Sequence, residues 1–360
     1  MKEIPMSIEK LGFNNWFQDK IDPGKLTDRH IAKVITVNKN NYVIHNGNNE
    51  VFAEATGKLM FSADSPLDFP AVGDWVYAQF FDDQSFAVIH EIVPRKSLLK
   101  RKTAGKKIEF QLIAANIDTA MIMQSLDANY NIRRLERYLV MIHESNIHPV
   151  VLLSKSDLLA PDEVEKKKDD IHKVIPNIQI VAFSNKDESG LDTVKELLIS
   201  GKTYCLLGSS GVGKTTLLNK LMGKTLFKTR AVREKDGKGR HATAGRQLIA
   251  LENGSMVIDT PGMRELGNID VESGLSDTFS EIHELLSQCR YNDCTHTREE
   301  GCAVLAALKE GKISEKRYLN YIKMRKESLH YEMSYLEKRR KDRQFGKLYK
   351  SAMKHKKNKR

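Results

Sequence analysis

"TYCLLGSSGVGKTTLLNKL", residues 203–221, decides the kind of fold this chain can adopt. An apolar run stops at Gly208, and a helix-forming run resumes at Lys214. Between them Gly208, Ser209, Ser210, Gly211, Val212, Gly213, Lys214 and Thr215 fit the pattern G-x4-G-K-[ST], with Thr216 following. Strand, glycine loop and helix in that order form a phosphate cradle. Backbone N–H groups of residues 209–214 ring a β-phosphate, and the helix N-terminus adds partial positive charge. Lys214 is placed to bridge the β- and γ-phosphates and Thr215 to ligate Mg²⁺. A strand that feeds such a loop belongs to a parallel α/β sheet.

Downstream, "VIDTPG" (257–262) ends a strand at Asp259. A carboxylate there can hold a Mg²⁺ water while the Gly262 N–H meets the γ-phosphate. D-x-x-G carries little by itself, and its place after a strand and beyond a phosphate loop gives it weight. Upstream, "VVLLSKSDLL" (150–159) runs a buried strand into Ser154, Lys155, Ser156 and Asp157. Guanine presents N1–H and N2–H₂ side by side, and the Asp157 carboxylate can accept both, a pairing adenine cannot supply. The Lys155 stem can lie along the ring. The next strand, "IQIVAF", ends at Ser184 and Asn185, where a backbone N–H can reach the guanine O6. Ligands bind at the carboxyl ends of strands in open α/β folds, so these two strand ends favour GTP over ATP. The base reader precedes the phosphate loop in the chain. That order is a circular permutation of the usual GTPase order, which leaves a pocket intact because a pocket depends on spatial neighbours.

Strand and helix patterns alternate from "IDTAMIMQS" through "RQLIALE" and "SMVIDT", which predicts a parallel sheet covered on both faces. Before it, residues 30–93 hold five short β-rich runs separated by turn clusters. These suit a small barrel of the OB type, with another small barrel as the alternative. From about Ser276 the chain reads as helical, ending in a long charged helix over 314–347. The expected organisation is an N-terminal extension (1–29), an OB-type β-barrel (30–95) and a basic linker (96–107). A circularly permuted α/β P-loop GTPase domain (108–274), an α-helical zinc-binding domain (275–337) and a basic tail (338–360) complete it.

Cys289, Cys294, His296 and Cys302 follow a C-x4-C-x-H-x5-C spacing. Three thiolates and one imidazole close a tetrahedral Zn²⁺ shell with no open position, so the site is expected to be structural. Cys205, inside the apolar strand, reads as core. Four cysteines in 360 residues make no disulfide framework, and a reducing cytoplasm is the simplest compartment. No run of about 18 apolar residues is present, so no membrane span is expected. The net charge of +11 sits unevenly, because residues 338–360 hold 12 Lys or Arg and one acid. Such an arm points to a polyanion, most simply nucleic acid.

Taken with their order, "VGDWV", "AANID", "SKSD", "GSSGVGKTTLLN", "GRHAT", "IDTPGMRELG" and the cysteine cluster resemble the ribosome small-subunit-dependent GTPase A family of circularly permuted GTPases over nearly the whole chain. The resemblance implies weak GTP hydrolysis alone and stimulation by the small ribosomal subunit. It further implies rRNA as a partner, with neither DNA nor membrane, and a role late in subunit assembly. A monomer off the ribosome is expected, since no oligomerisation signal stands out. Two departures stand out. Ser154 replaces a longer Asn or Thr, which puts a buttressing hydrogen bond to the base or the phosphate loop in question. Thr243 is the one threonine left beside "GRH", hence the candidate there for the switch contact to Mg²⁺ and the γ-phosphate.

Met263 follows Gly262 where many GTPases place a water-orienting glutamine, so intrinsic hydrolysis is expected to be slow. His241, two residues before Thr243, can orient the water instead, and the resemblance supports that role. Two rivals remain open from sequence: an RNA-binding scaffold that holds nucleotide structurally, and a phosphate-loop ATPase or kinase.

Overall fold

The computed structural model describes residues 6–38, 41–102, 110–223, 246–259 and 272–332. After a first helix α1 (Asn15–Gln18) come β1 (His30–Val37), β2 (Tyr42–His45), β3 (Glu50–Ala55), helix α2 (Gly57–Phe61), β4 (Trp75–Phe81) and β5 (Phe86–Ile92). The order β1-β2-β3-β5-β4 closes where β4 pairs back onto β1, and β3 runs parallel to β5. This closure is the OB-type barrel expected from the strand pattern. Alternation builds it: on β3, Val51 and Ala53 point into the barrel while Glu50, Phe52 and Glu54 point out. The N-terminal segment is part of the core. Phe13 meets Trp75 edge-on at 5.0 Å, and Ile8 and Phe17 are buried.

The segment expected to be a linker differs. Strand β6 (Leu98–Lys102) pairs antiparallel with β7 (Phe110–Ala115) as a separate two-stranded ribbon. The basic linker at 96–107 is thus corrected over its described residues. Leu99 is fully buried and anchors the strand despite the surrounding charge. Ser97 donates to the Ile117 carbonyl at 2.7 Å. Residues 103–107 lie outside the described residues.

The central sheet follows: β8 (Thr119–Ser125), α3 (Ile132–Glu144), β9 (His148–Ser154), α4 (Pro161–His172), β10 (Gln179–Phe183), α5 (Leu191–Glu196), β11 (Thr203–Gly208), α6 (Lys214–Leu221), β12 (Arg246–Ala250) and β13 (Met256–Asp259). Its order is β10-β9-β8-β11-β13-β12, with β12 alone antiparallel to its neighbour there. Helices cover both faces, which is why the central strands read as unbroken apolar runs. The carboxyl ends of β8, β9, β10 and β11 therefore share one edge.

The outer edge of β12 pairs with β1 of the barrel, Thr36 opposite Gln247 and Val37 opposite Arg246. Barrel and GTPase sheet so form one eleven-stranded sheet. At the seam Gly73 has φ +93°, and a Cβ there would lie 2.1 Å from the Ala115 carbonyl oxygen. Only glycine permits that approach.

Helices α7 (Glu272–Thr278), α8 (Ser280–Leu286), α9 (Ala303–Lys309) and α10 (Glu315–Glu332) form the C-terminal module. A Cβ on Gly274 of α7 would sit 2.1 Å from the Val140 carbonyl oxygen of α3. The boundary expected at 274/275 thus falls inside α7, because the helix docks as a unit on α3. The long helix expected over 314–347 is described as far as Glu332. No helix among the described residues is long and apolar enough to cross a membrane.

Candidate functional site

The phosphate loop is held from behind by three strand ends. After β8, Asn129 Nδ2 donates to Ser209 Oγ at 3.3 Å and to the Ser210 carbonyl at 3.4 Å. At the end of β9, Ser154 Oγ donates to the Val212 carbonyl at 2.7 Å. After β10, Asn185 Nδ2 donates to the Gly213 carbonyl at 3.3 Å. Carbonyls turned outward leave the loop's N–H groups free to face an anion. Gly208, at φ +145°, has the Met123 carbonyl oxygen 2.5 Å from where a Cβ would stand. Gly213, at φ +97°, has Asn185 Nδ2 at 2.6 Å from that point. The loop accepts no side chain at either place. Gly211 has φ +80°.

Ser154 corrects an expectation. It is fully buried, and despite its short side chain it keeps the buttress to the phosphate loop. Lys214 is largely buried, its ammonium 2.7 Å from the Gly208 carbonyl and 2.8 Å from that of Ser209. Thr215 and Thr216 follow in the first turn of α6.

On the base side, Lys155 adopts a left-handed conformation, φ +61°, that turns the chain out of β9 into the 3₁₀ turn carrying Asp157. Ser184 Oγ donates to Asp157 Oδ1 at 2.6 Å, which sets the carboxylate's direction. Ser184 also accepts from the Lys186 N–H at 3.0 Å. Ser184 and Asn185 are adjacent, one bonded to the base-reading turn and the other to the phosphate loop. The two halves of the expected site are therefore joined through two consecutive residues.

Asp127 and Asn129, in the loop after β8, escaped the sequence reading. Asp127 Oδ2 accepts from Lys155 Nζ at 2.7 Å, and Oδ1 accepts from Ser125 Oγ and the Asn129 N–H. Burial pushes this carboxylate up, but the Lys155, Ser125 and Asn129 hydrogen bonds hold it below its ordinary value. The signal was present: turn-forming Asp and Asn at a strand's carboxyl end, the same rule that singled out Asp157.

Asp259 closes β13, in register with Leu206 two residues before the phosphate loop. The Thr215 hydroxyl and the Asp259 carboxylate are hard oxygen donors, the class Mg²⁺ takes. His241, Thr243 and Gly262 lie outside the described residues, as do Met263 and the basic tail.

In the C-terminal module, Cys289, Cys294, His296 and Cys302 bring their ligand atoms within 4.8 Å of one another. His296 Nδ1 is 3.5 Å from both Cys289 Sγ and Cys302 Sγ, and those sulfurs are 3.9 Å apart. Sulfurs at the usual Zn–S length on a tetrahedron are separated by about 3.8 Å, so the donor set fits zinc. Burial holds the His296 imidazole below its ordinary value, favouring the neutral form that ligates metal. Cys205 is fully buried and burial pushes its thiol up, in keeping with core.

The sequence profile described as RsgA GTPase matches residues 92–269. A Vibrio parahaemolyticus protein named "Small ribosomal subunit biogenesis GTPase RsgA 2" is 37% identical over 346 residues, spanning 96% of this chain and 92% of its own length. A Lactiplantibacillus plantarum protein of the same name is 41% identical over 323 residues, spanning 89% and 90%. The crystal structure of YjeQ from Thermotoga maritima matches with a TM-score of 0.62 at 26% identity, over 84% of this chain and 99% of that one. YloQ, described as a circularly permuted GTPase, matches in fold with a TM-score of 0.59 at 22% identity, over 86% and 98%.

Proposed function

The chain belongs to the RsgA GTPase family, with GTP/GDP and Mg²⁺ as its implied ligands, and from that premise we propose that it hydrolyses GTP on the small ribosomal subunit late in that subunit's maturation. The observation that carries this reading is the pair Ser184 and Asn185, which ties the Asp157 turn to the Gly213 end of the phosphate loop. A nucleotide has a base at one end and phosphates at the other, the two chemistries these joined turns supply.

The roles follow from chemistry. Asp157 accepts the guanine N1–H and N2–H₂, Lys155 lies along the ring, and a backbone N–H at Ser184 or Asn185 meets O6. Residues 208–216 cradle the phosphates, and Lys214 draws charge toward the β–γ bridge. Thr215, Thr243 and Asp259 are assigned to Mg²⁺, which when bound neutralises charge developing on the phosphate oxygens. The Gly262 N–H is assigned to the γ-phosphate and His241 to orienting the attacking water. With Met263 unable to do so, turnover is expected to be slow without the subunit. Zinc on Cys289, Cys294, His296 and Cys302 is structural. The barrel, the zinc module and the basic tail, 338–360, are the elements assigned to rRNA. The protein works as a monomer in the cytoplasm, where ribosomes assemble.

The test is GTP turnover with and without purified small subunits. Stimulation is expected, and His241→Ala should lower the stimulated rate by about a hundredfold. Turnover that subunits leave unchanged would favour the scaffold reading, with nucleotide as a structural ligand. Asp157→Asn should move preference from GTP to XTP, because an amide can donate to the oxygen that replaces the 2-amino group.

A further inference from the structure

The barrel is acidic in a basic chain. Residues 30–95 hold eight Asp or Glu against four Lys or Arg, whereas the whole protein carries +11. One of those four, Lys33, is buried, and another, Arg95, is committed to Asp74 at 2.7 Å.

Strand register gathers an apolar row on the barrel's outer face. Val43 lies opposite Phe52, Phe52 opposite Phe86, and Phe86 opposite Phe81, across β2, β3, β5 and β4. The Phe52 and Phe86 ring centroids are 6.2 Å apart and those of Phe86 and Phe81 6.5 Å. Phe52 is 43% exposed and Phe81 40%. Exposed aromatic rows of this kind mark binding surfaces more often than chance.

Carboxylates frame the row. Glu50 and Glu54 flank Phe52 on the same face of β3, and Asp82 and Asp83 follow Phe81 in the turn to β5. All four residues are exposed. Ion pairs of the barrel among the described residues involve Asp74 and Glu91, and none of these four takes part.

Resting on the small-subunit reading above, we infer that this face docks an Arg- and Lys-rich segment of a small-subunit protein. Guanidinium groups stack on aromatic faces and pair with carboxylates at the same time, and lysine stems lie along apolar rings. An RNA strand could stack its bases on the same phenylalanines. Its phosphates would then run past four carboxylates that join no ion pair among the described residues, the reverse of the basic groove such strands follow. Sign of charge therefore separates the two partners.

The experiment uses that sign. Full-length protein, GTP-loaded, is titrated onto purified small subunits, alongside Glu50→Lys/Glu54→Lys and Phe52→Ala/Phe81→Ala. Both double variants should keep wild-type GTP affinity, which shows that they fold, and bind subunits at least about tenfold more weakly. Charge reversal that strengthens binding assigns the face to RNA and overturns the inference, and binding unchanged in both variants overturns it as well. Failure of the wild-type protein to bind subunits at all would instead strike the function proposed above. As a second readout, a photo-crosslinking phenylalanine analogue at position 52 should yield an adduct to a lysine- or arginine-rich peptide of a subunit protein. An adduct removed by ribonuclease contradicts the inference.

Discussion

The GTPase unit has two junctions of opposite character. Toward the barrel it shares one continuous sheet and one apolar core. Trp75, Ile31, Ile113, Ile258 and Phe13 belong to a single cluster of buried side chains there. Toward the C-terminal module it presents α3, where Val140 joins that module's own buried apolar cluster and a set of ionic contacts is added. Glu136 is fully buried and accepts from Arg317 at 2.7 Å and from Arg133 and Asn320. Arg317 also meets Glu281, and it donates to the Thr278 carbonyl at 2.9 Å. His143 lies 3.1 Å from Thr278, and Glu144 accepts from Ser273 at 2.7 Å. Close-packed apolar surfaces have one good arrangement. Buried charges must each find a partner, so the second junction depends on its ion pairs as well as on packing. Helix α3 is also the element whose Arg134 hydrogen-bonds to Asn129, which grips the phosphate loop.

The largest effect should come from the metal. Chelation, or Cys294→Ser, removes a structural site of a kind worth about 10–16 kcal/mol in isolated zinc modules. Hydrogen exchange should then show residues 272–332 losing protection while the barrel–GTPase sheet keeps its own. Concerted loss across both junctions would erase the contrast drawn between them.

Next is Arg317→Ala, which leaves the Glu136 carboxylate buried and short of its main partner. A loss of about 3–5 kcal/mol is expected by chemical denaturation, confined to the C-terminal transition.

Lys33 sharpens the contrast from the other side. It is enclosed at the barrel seam, donating to the Leu11 carbonyl at 2.7 Å and Thr203 Oγ1 at 3.2 Å. Burial, partly offset by Asp118, holds its ammonium down at about 7 from 10.5. Between those values the unfolded chain carries the proton and the folded chain does not. Stability from this group therefore rises as pH climbs from about 7 to about 10.5. Lys33→Met should flatten that rise while changing stability at pH 7 by no more than about 2 kcal/mol. An equal pH dependence in the variant would show that the seam does not tolerate the lysine in the way described.

The smallest effect belongs to Arg137→Ala. Its pair with Glu327 at 2.5 Å is partly exposed, 19% and 26% at the two side chains, so at most about 1 kcal/mol should be lost. A cost equal to that of Arg317 would mean that burial does not govern this junction.

A small five-stranded barrel, the alternating α/β segment and the Cys₃His cluster could all be read from periodicity and spacing, while the OB order of the barrel's strands came from the pairing of β3 with β5 and β4 with β1. "HIAKVITV" and "YVIH" became β1 and β2 with the same ends. The Leu98–Lys102 strand was obscured by charge, since six of the twelve residues 96–107 are lysine or arginine and three of those, Lys100, Arg101 and Lys102, lie within the strand. The buttress from Ser154 could not be read either. Whether a short hydroxyl reaches Val212 depends on how closely two strand ends approach.

The amino-acid order by itself determined the phosphate loop, most of the strands and helices, and which four residues can gather a metal. Those signals are local, carried by side chains a few positions apart. Tertiary structure alone decided that β12 joins β1, that Asn129, Ser154 and Asn185 converge on one loop, and that Glu136 meets Arg317 across 181 positions. Such meetings depend on how finished elements pack. A carboxylate or an amide carries no mark in sequence of the partner that burial will require it to find.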